Sequence, residues 1–312
     1  MKVLVTGGAG FIGRWVVKKL LDSSANVWVL DDLSNGKQSN IEEFTEQDSY
    51  HGLTIGDVSD PKCVEQLFGN SYDICIHAAA QINVQESLDN PDKSFIVNVV
   101  GTHNILSCAL KSRTKVVLIG TCMVYDIASS DGISELSPVK PASPYAGSKL
   151  AAEDMALSYY HGLGLPVAIL RPFNTYGPFQ KTNMEGGVVS IFAQNHIAGE
   201  NLRIFGDGTQ TRDLLYVEDC ADFIVAAAFS DRATGEIINA ATGKDISINA
   251  LALLICKDAN RIEHVKHHHP QSEIQKLAGS FSKAQKLLGW KPKTSLEEGI
   301  AKTDQWIKTD YS

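Results

Sequence analysis

The sequence predicts an α/β fold, a Rossmann-type doubly wound parallel sheet with a smaller α/β C-terminal substrate domain. Three observations predict it. The chain opens on a short apolar strand that runs straight into Gly7-x-x-Gly10-x-x-Gly13. The next strand ends in a carboxylate, Asp31. Short apolar strands then alternate with helical stretches through the first half of the chain, the pattern of a parallel sheet with crossover helices.

Lys2–Thr6 is the first strand, the glycine loop follows, and Arg14–Leu21 is helical. Val27–Leu30 returns as a strand and ends in Asp31-Asp32, which completes a βαβ unit. Glycines in such a loop let the backbone approach a pyrophosphate, which sits where the helix N-terminus offers free N–H groups. Asp31 lies 18 residues beyond Gly13. A carboxylate there bonds ribose hydroxyls and repels a 2′-phosphate, which favours NAD over NADP. Arg14 opens the helix and is expected to face pyrophosphate or solvent. Thr54–Ile55, Ile74–His77, Val116–Ile119 and Val167–Leu170 continue the sheet, with helices at Asp92–Lys111 and Tyr145–Gly162 between strands.

Tyr145 and Lys149 place a phenol and an ammonium one helical turn apart on one face. A neighbouring ammonium favours the phenolate, so Tyr145 is expected to act as a base nearer neutral pH. A phenolate beside a nicotinamide means hydride chemistry at a carbinol carbon.

The chain has 312 residues, 44% of them hydrophobic, enough for one large domain or two. A net charge of −8 disfavours nucleic acid and anionic membrane as general partners. The cysteines at 63, 75, 108, 122, 220 and 256 include no Cys-x-x-Cys pair, which argues against a metal or redox site and fits a reducing cytoplasm. No apolar run approaches the ~18 residues of a membrane span. The N-terminal strand reads as a buried strand, not a signal peptide.

The chain also carries Gly56-Asp57-Val58, His77-Ala-Ala-Ala-Gln81, Asn98-Val-Val-Gly-Thr102, Thr121-Cys-Met-Val-Tyr125, Tyr145-Ala-Gly-Ser-Lys149 and Arg171-Pro-Phe-Asn-Thr-Tyr-Gly-Pro178. Ile204-Phe-Gly-Asp-Gly208, Thr211-Arg-Asp-Leu-Leu-Tyr-Val-Glu-Asp219 and Leu288-Gly-Trp-Lys-Pro292 follow. As an ordered set, spread over nearly the whole chain, these motifs resemble the extended short-chain dehydrogenase/reductase family, in its nucleotide-sugar epimerase and dehydratase branch. The resemblance implies an NAD enzyme acting on a nucleotide sugar, most simply a UDP-hexose or UDP-N-acetylhexosamine 4-epimerase working through a transient 4-keto sugar.

The resemblance also implies a role for each matching position. Gly7, Gly10, Phe11 and Ile12 would hold the pyrophosphate; Asp31 would bind the adenosine ribose, with Asn35 among the cofactor residues; Asp57 and Val58 would border the adenine. Ala78, Ala79 and Asn98 would line the cofactor cleft, and Pro172 and Phe173 would flank the nicotinamide. Thr121 would bond the sugar hydroxyl, Tyr145 would take its proton, and Lys149 would bind the nicotinamide ribose and tune Tyr145. Asn174 and Arg212 would hold the diphosphate and Phe205 would cover the base; Val188, Arg203 and Glu273 join the substrate residues. A guanidinium grips phosphate oxygens in a fork, and an aromatic face suits a base. A homodimer through Asp92–Lys111 and Tyr145–Gly162 is implied too, with Ile96, Val100, Leu106 and Leu110 facing either the partner or the sheet.

In the second half, Val188–Ala198 reads as a helix, Leu202–Phe205 as a strand, Tyr216–Phe229 as a strand end plus helix, and Leu296–Ile307 as an amphipathic helix. Residues 1–173 and 216–240 are expected to form the NAD domain, and 174–215 with 241–312 the substrate domain.

Three departures from the family pattern matter. The 4,6-dehydratases place Asp and Glu after the Thr, where this chain has Cys122 and Met123. An eliminase needs an acid and a base there, so the pattern leans to epimerase, with a dehydratase using the Cys122 thiol as the alternative. The late phosphate Arg is replaced by Pro270, leaving His269, Arg203 or Lys181 to supply the charge. Phe179 stands where many relatives have Arg, which disfavours decarboxylation, and Leu277 sits where the family limits the size of the C2 substituent. The run His267-His268-His269, near His264, reads as a solvated loop rather than a metal site.

Overall fold

A computed structural model describes residues 1–126, 132–182, 187–266 and 275–310. In chain order its first elements are β1 (Lys2–Thr6), α1 (Phe11–Asp22), β2 (Asn26–Asp31), β3 (Tyr50–Ile55), α2 (Pro61–Leu67), β4 (Ile74–His77), α3 (Val84–Asp89), α4 (Pro91–Ser94), α5 (Gly101–Ser112) and β5 (Lys115–Ile119). Next come α6 (Pro144–Leu163), β6 (Val167–Pro172), β7 (Asn174–Tyr176), α7 (Val188–Ile197), β8 (Leu202–Phe205), β9 (Thr211–Tyr216) and α8 (Val217–Ala228). The chain closes with β10 (Ile237–Ala240), β11 (Asp245–Ser247), α9 (Ile248–Cys256), β12 (Ile262–Val265), α10 (Ser282–Leu288) and α11 (Leu296–Asp310).

Seven strands form one parallel sheet in the order β10-β6-β5-β4-β1-β2-β3. The order reverses between β1 and β4, and ligands of doubly wound sheets bind in the crevice at that switch, beyond the strands' carboxyl ends. The central strands read as unbroken apolar runs because both faces are covered. Cores lie on the two sides of the sheet, one built with α1 and α8, the other with α2, α5 and α6. Register makes the strand ends level: Thr6 pairs with His77, His77 with Leu118, and Ile119 with Leu170. β7, β9 and β11 form a second sheet, and β8 pairs with β12.

A polar clasp fixes the central strand ends. The Thr6 hydroxyl meets His77 Nδ1 at 2.7 Å, and His77 Nε2 meets Thr102 Oγ1 at 3.1 Å. The Thr102 hydroxyl already donates to Asn98 O at 2.6 Å, so His77 Nε2 is the donor and Nδ1 the acceptor. The ring is therefore neutral, and burial, with the Lys149 charge nearby, drives its pKa down to about 3.

The sequence reads as one helix over Asp92–Lys111, but the structure inserts a π-helical segment, Phe95–Val100, between α4 and α5. The wide turn brings Asn98 inward, where its side chain accepts from Gln81 N at 2.8 Å and donates to Gln81 O at 3.0 Å and Ser148 Oγ at 2.9 Å. Amphipathic spacing does not signal such a bulge, since it is set by a tertiary bond. Leu106 is buried against the sheet, whereas Ile96 is exposed.

Arg14 faces neither pyrophosphate nor solvent. It is 2% exposed, donates from Nε to Asn40 O at 3.0 Å and pairs with Glu43. Its guanidinium carbon lies 3.9 Å from the centre of the Phe179 ring and 4.6 Å from that of Trp15. Three neighbouring aromatics, counting Phe44, turn the long side chain inward as a cation–π anchor. Phe179 is thus a packing residue, and it also meets Trp306 of α11.

Candidate active site

A cleft of about 530 Å³ lies over the carboxyl ends of β1, β2, β4, β5 and β6. Gly7, Gly10, Phe11, Ile12, Asp31, Asn35, Asp57, Val58, Ala78, Ala79, Tyr145, Lys149 and Pro172 line it. Gly7 adopts φ +72°, and a Cβ there would lie 2.7 Å from Ala79 N. A Cβ on Gly13 would strike Gly7 O. No side chain caps the start of α1, so its first amides are free for an anion. Asp31 is 5% exposed and accepts from Ala9 N and Leu33 N, both at 2.9 Å. Burial raises its pKa while those bonds oppose the shift. Tight loop, free helix amides and strand-end carboxylate together fit a dinucleotide.

Thr121, just beyond β5, caps a short 3₁₀ turn at Cys122–Val124 and accepts from Met123 N at 3.2 Å. Tyr145 follows Ser143 and Pro144, which start α6: the Ser143 hydroxyl accepts from Ala146 N at 3.2 Å and Pro144 sits in the first turn. The Tyr145 side chain is hydrogen-bonded to Thr121. Lys149 lies one turn further along α6, 5% exposed.

Burial governs the ionisation of both groups. It pushes the Tyr145 phenol up to about 12, against the Thr121 hydrogen bond, and draws the Lys149 ammonium down to about 8. In the protein alone burial is the dominant influence on the Tyr145 phenol, opposed by the Thr121 hydrogen bond. At neutral pH the protein alone holds a phenol beside an ammonium.

Thr121, Cys122, Phe173, Asn174, Val188, Arg203, Phe205 and Arg212 line the rest of the cleft. Cys122 is buried, and desolvation holds its thiol up at about 12. Among the described residues, Asn174 Oδ1 is buried without a hydrogen-bond partner. Arg203 pairs with Glu263 at 3.7 Å between β8 and β12. Asn98 does not line the cleft; it lies behind the wall and ties Gln81 to Ser148. Leu277 is fully buried with Cys122 and Phe173 and is likewise not a lining residue. Lys181 is not in the lining either, and Glu273, Pro270 and His267–His269 fall outside the described residues. Sequence reasoning passed over Ile82, Val84, Gln180 and Phe192 as lining, and the buried pair Glu153–Arg171 below it. The spacing of Lys149 to Glu153, one helical turn, was the available signal for that pair.

A family model described as GDP-mannose 4,6 dehydratase matches residues 4–303. The UDP-glucose 4-epimerase of Mycolicibacterium smegmatis is 35% identical over 311 residues, covering 99% of each chain. Among solved structures, Pal from Bacillus thuringiensis is 58% identical with a TM-score of 0.98, covering 99% of each chain. The Thermus thermophilus UDP-glucose 4-epimerase, solved in complex with NAD, is 31% identical with a TM-score of 0.89 and 99% coverage of each chain. The named relatives span epimerases, a decarboxylase and a dehydratase. Among the described residues, no helix is long and apolar enough to cross a membrane.

Proposed function

We infer the reaction from one premise: the chain belongs to the extended short-chain dehydrogenase/reductase family, in its NAD-dependent nucleotide-sugar epimerase and dehydratase branch. The reading supported best is NAD-dependent 4-epimerisation of a nucleotide sugar, a UDP-hexose or UDP-N-acetylhexosamine. The observation that carries it is the wall beyond the Thr121–Tyr145 hydrogen bond. Cys122 and Met123 line the cleft there, one a thiol held protonated at about 12 and the other a thioether. Neither supplies the acid and base of an elimination.

Gly7, Gly10, Phe11, Ile12, Asp31 and Lys149 would hold NAD. Bound NAD supplies a hydride acceptor and, when oxidised, a positive charge in the cleft. That charge, added to the Lys149 ammonium, would favour the Tyr145 phenolate. Thr121 would orient the sugar O4 and Tyr145 would take its proton as C4 is oxidised. Arg203, Arg212, Asn174 and Phe205 grip the nucleotide while the 4-keto sugar turns on its diphosphate. Tyr145 would give its proton back to O4 once the turned sugar is reduced on its opposite face. The cycle therefore leaves mass and redox state unchanged.

Incubation with UDP-glucose, UDP-N-acetylglucosamine and UDP-glucuronate, read by chromatography with mass detection, tests this. A new peak of unchanged mass is the expected result. A product lighter by one water overturns it in favour of elimination at Cys122. We also propose a homodimer through the outer faces of the π-helical segment and α6, where Phe95, Ile96 and Leu163 are exposed. Sedimentation equilibrium giving the monomer mass would refute it.

A further inference from the structure

An ion pair with no part in the reaction above lies beneath the site. Glu153 is 1% exposed and Arg171 3%. Arg171 donates to Glu153 Oε2 from Nη2 at 2.6 Å and from Nε at 3.0 Å. A pair this deep gives little net stability, because the desolvation of two ions offsets their attraction, and apolar residues of similar volume serve as well. Its placement offers another reason for it.

Glu153 follows Lys149 by one turn of α6, and its carboxylate is the group that favours the Lys149 ammonium against burial. The carboxylate also lies against Gly120, the residue before Thr121: a Cβ at Gly120 would strike Glu153 Oε1. Arg171 immediately precedes Pro172 at the end of β6. Its guanidinium carbon lies 4.8 Å from the centre of the Tyr125 ring, and the Tyr125 hydroxyl donates to Asn239 Oδ1 at 2.8 Å. One ion pair therefore meets the helix of Tyr145 and Lys149, the strand end leading to Thr121, and the strand end carrying Pro172.

We propose that Glu153, clamped by Arg171, is the positioning residue for Lys149: it holds that ammonium under the cleft, keeps it charged, and sets α6 against the ends of β5 and β6. The proposal rests on the reading of Lys149 as the cation of the site. The other titratable groups around α6 do not substitute for it. His77 on β4 is neutral, Cys122 is a thiol, and Glu86 of α3 is committed to Lys93. His103 of α5 bonds Tyr159 further along the helix, and Asp154 neighbours Glu153 in sequence. Tyr145 is a phenol in the protein alone. Glu153 is thus the buried carboxylate serving Lys149.

The test uses the full, NAD-loaded protein with isotope-labelled lysine. The Lys149 Cε signal, assigned by its loss in Lys149→Met, is titrated by NMR in wild type, in Glu153→Gln and in the double variant Glu153→Met with Arg171→Met. Both variants should lower the Lys149 midpoint by about one pH unit or more, the effect of losing a nearby opposite charge. The fall of activity on the alkaline side should move down by the same interval. An unmoved Lys149 midpoint in the folded variants, with only the melting temperature lowered, overturns the proposal in favour of a structural pair. So does failure of both variants to fold. An active Tyr145→Phe would sink the reaction assigned above without altering the Lys149 titration, so the two failures are distinguishable.

Discussion

Acidification should destabilise this protein through His77, by an amount the structure sets. The ring is 1% exposed, its Nδ1 accepts from Thr6, and Nε2 donates to Thr102. A proton on Nδ1 would point at a hydroxyl already receiving Ala79 N at 3.2 Å, so Thr6 would have to turn its own proton away. Burial and the Lys149 charge accordingly hold the folded pKa near 3, against 6.5 for an unperturbed imidazole. Because the folded value is depressed, the unfolded chain binds the proton first. Stability is complete above pH 6.5 and is lost as pH falls towards 3. At ~1.4 kcal/mol per pH unit, acidification from pH 6.5 to pH 5 removes about 2 kcal/mol, a large share of the ~5–15 kcal/mol typical of a folded domain. Urea unfolding at both pH values, in wild type and in His77→Asn, reads this term, because other groups contribute to both proteins and cancel in the difference. The variant starts less stable, but its loss on acidification should be smaller by about 2 kcal/mol. Equal losses would mean that His77 takes a proton in the folded state and that the clasp is wrongly assigned.

Other consequences are sharper in activity than in stability. Tyr145→Phe should lower turnover by ~10²–10⁴-fold, the range for a general acid–base group, while tryptophan-quenching titration shows NAD still bound; near-wild-type turnover would remove Tyr145 from the reaction. If the Asp31 carboxylate repels a 2′-phosphate, Asp31→Ser should lower the ratio of NAD to NADP affinity at least tenfold, and an unchanged ratio would show that Asp31 serves only Ala9 N and Leu33 N. Arg14→Met deletes the cation among Trp15, Phe44 and Phe179 and should lower stability by ~1–3 kcal/mol with NAD affinity kept. A selective loss of NAD affinity would return Arg14 to the pyrophosphate.

Legibility in the sequence followed the range of the interaction. β1, β4 and β8 match their expected bounds because short apolar strands between turn signals are local patterns. The glycine loop was legible because its spacing is dictated by backbone contact, as Gly7 against Ala79 shows. Long-range decisions were not. Nothing near Arg14 in sequence announces Phe179, which reaches it from the other half of the chain. The turn that draws Asn98 inward depends on Gln81 and Ser148. Resemblance carried Asn98 to the cofactor, but its side chain is engaged with the cleft wall. Leu277 packs behind Cys122 rather than facing a sugar. The ionisation of Tyr145 was not legible, because the sequence shows the ammonium four residues away and not the burial that raises the phenol.

That imbalance bears on how the proposed reaction would run. A phenol raised to about 12 and a thiol raised to about 12 are both uncharged at neutral pH, and His77 is kept neutral beside Lys149. Lys149 then stands as the cation among them, with Glu153 and Arg171 beneath. Under the proposed reaction, proton abstraction at Tyr145 would be favoured by a second positive charge in the same low-dielectric space, where charges interact far more strongly than in water. Bound NAD, in its oxidised form, would supply that charge. The basicity of Tyr145 would therefore follow the redox state: low affinity for the proton while the C4 hydroxyl is being oxidised, high affinity once the 4-keto sugar has formed. Tyr145 would thus hold the proton while the 4-keto sugar turns and release it to O4 as the sugar is reduced and the positive charge is restored, which is the condition a reversible epimerisation requires.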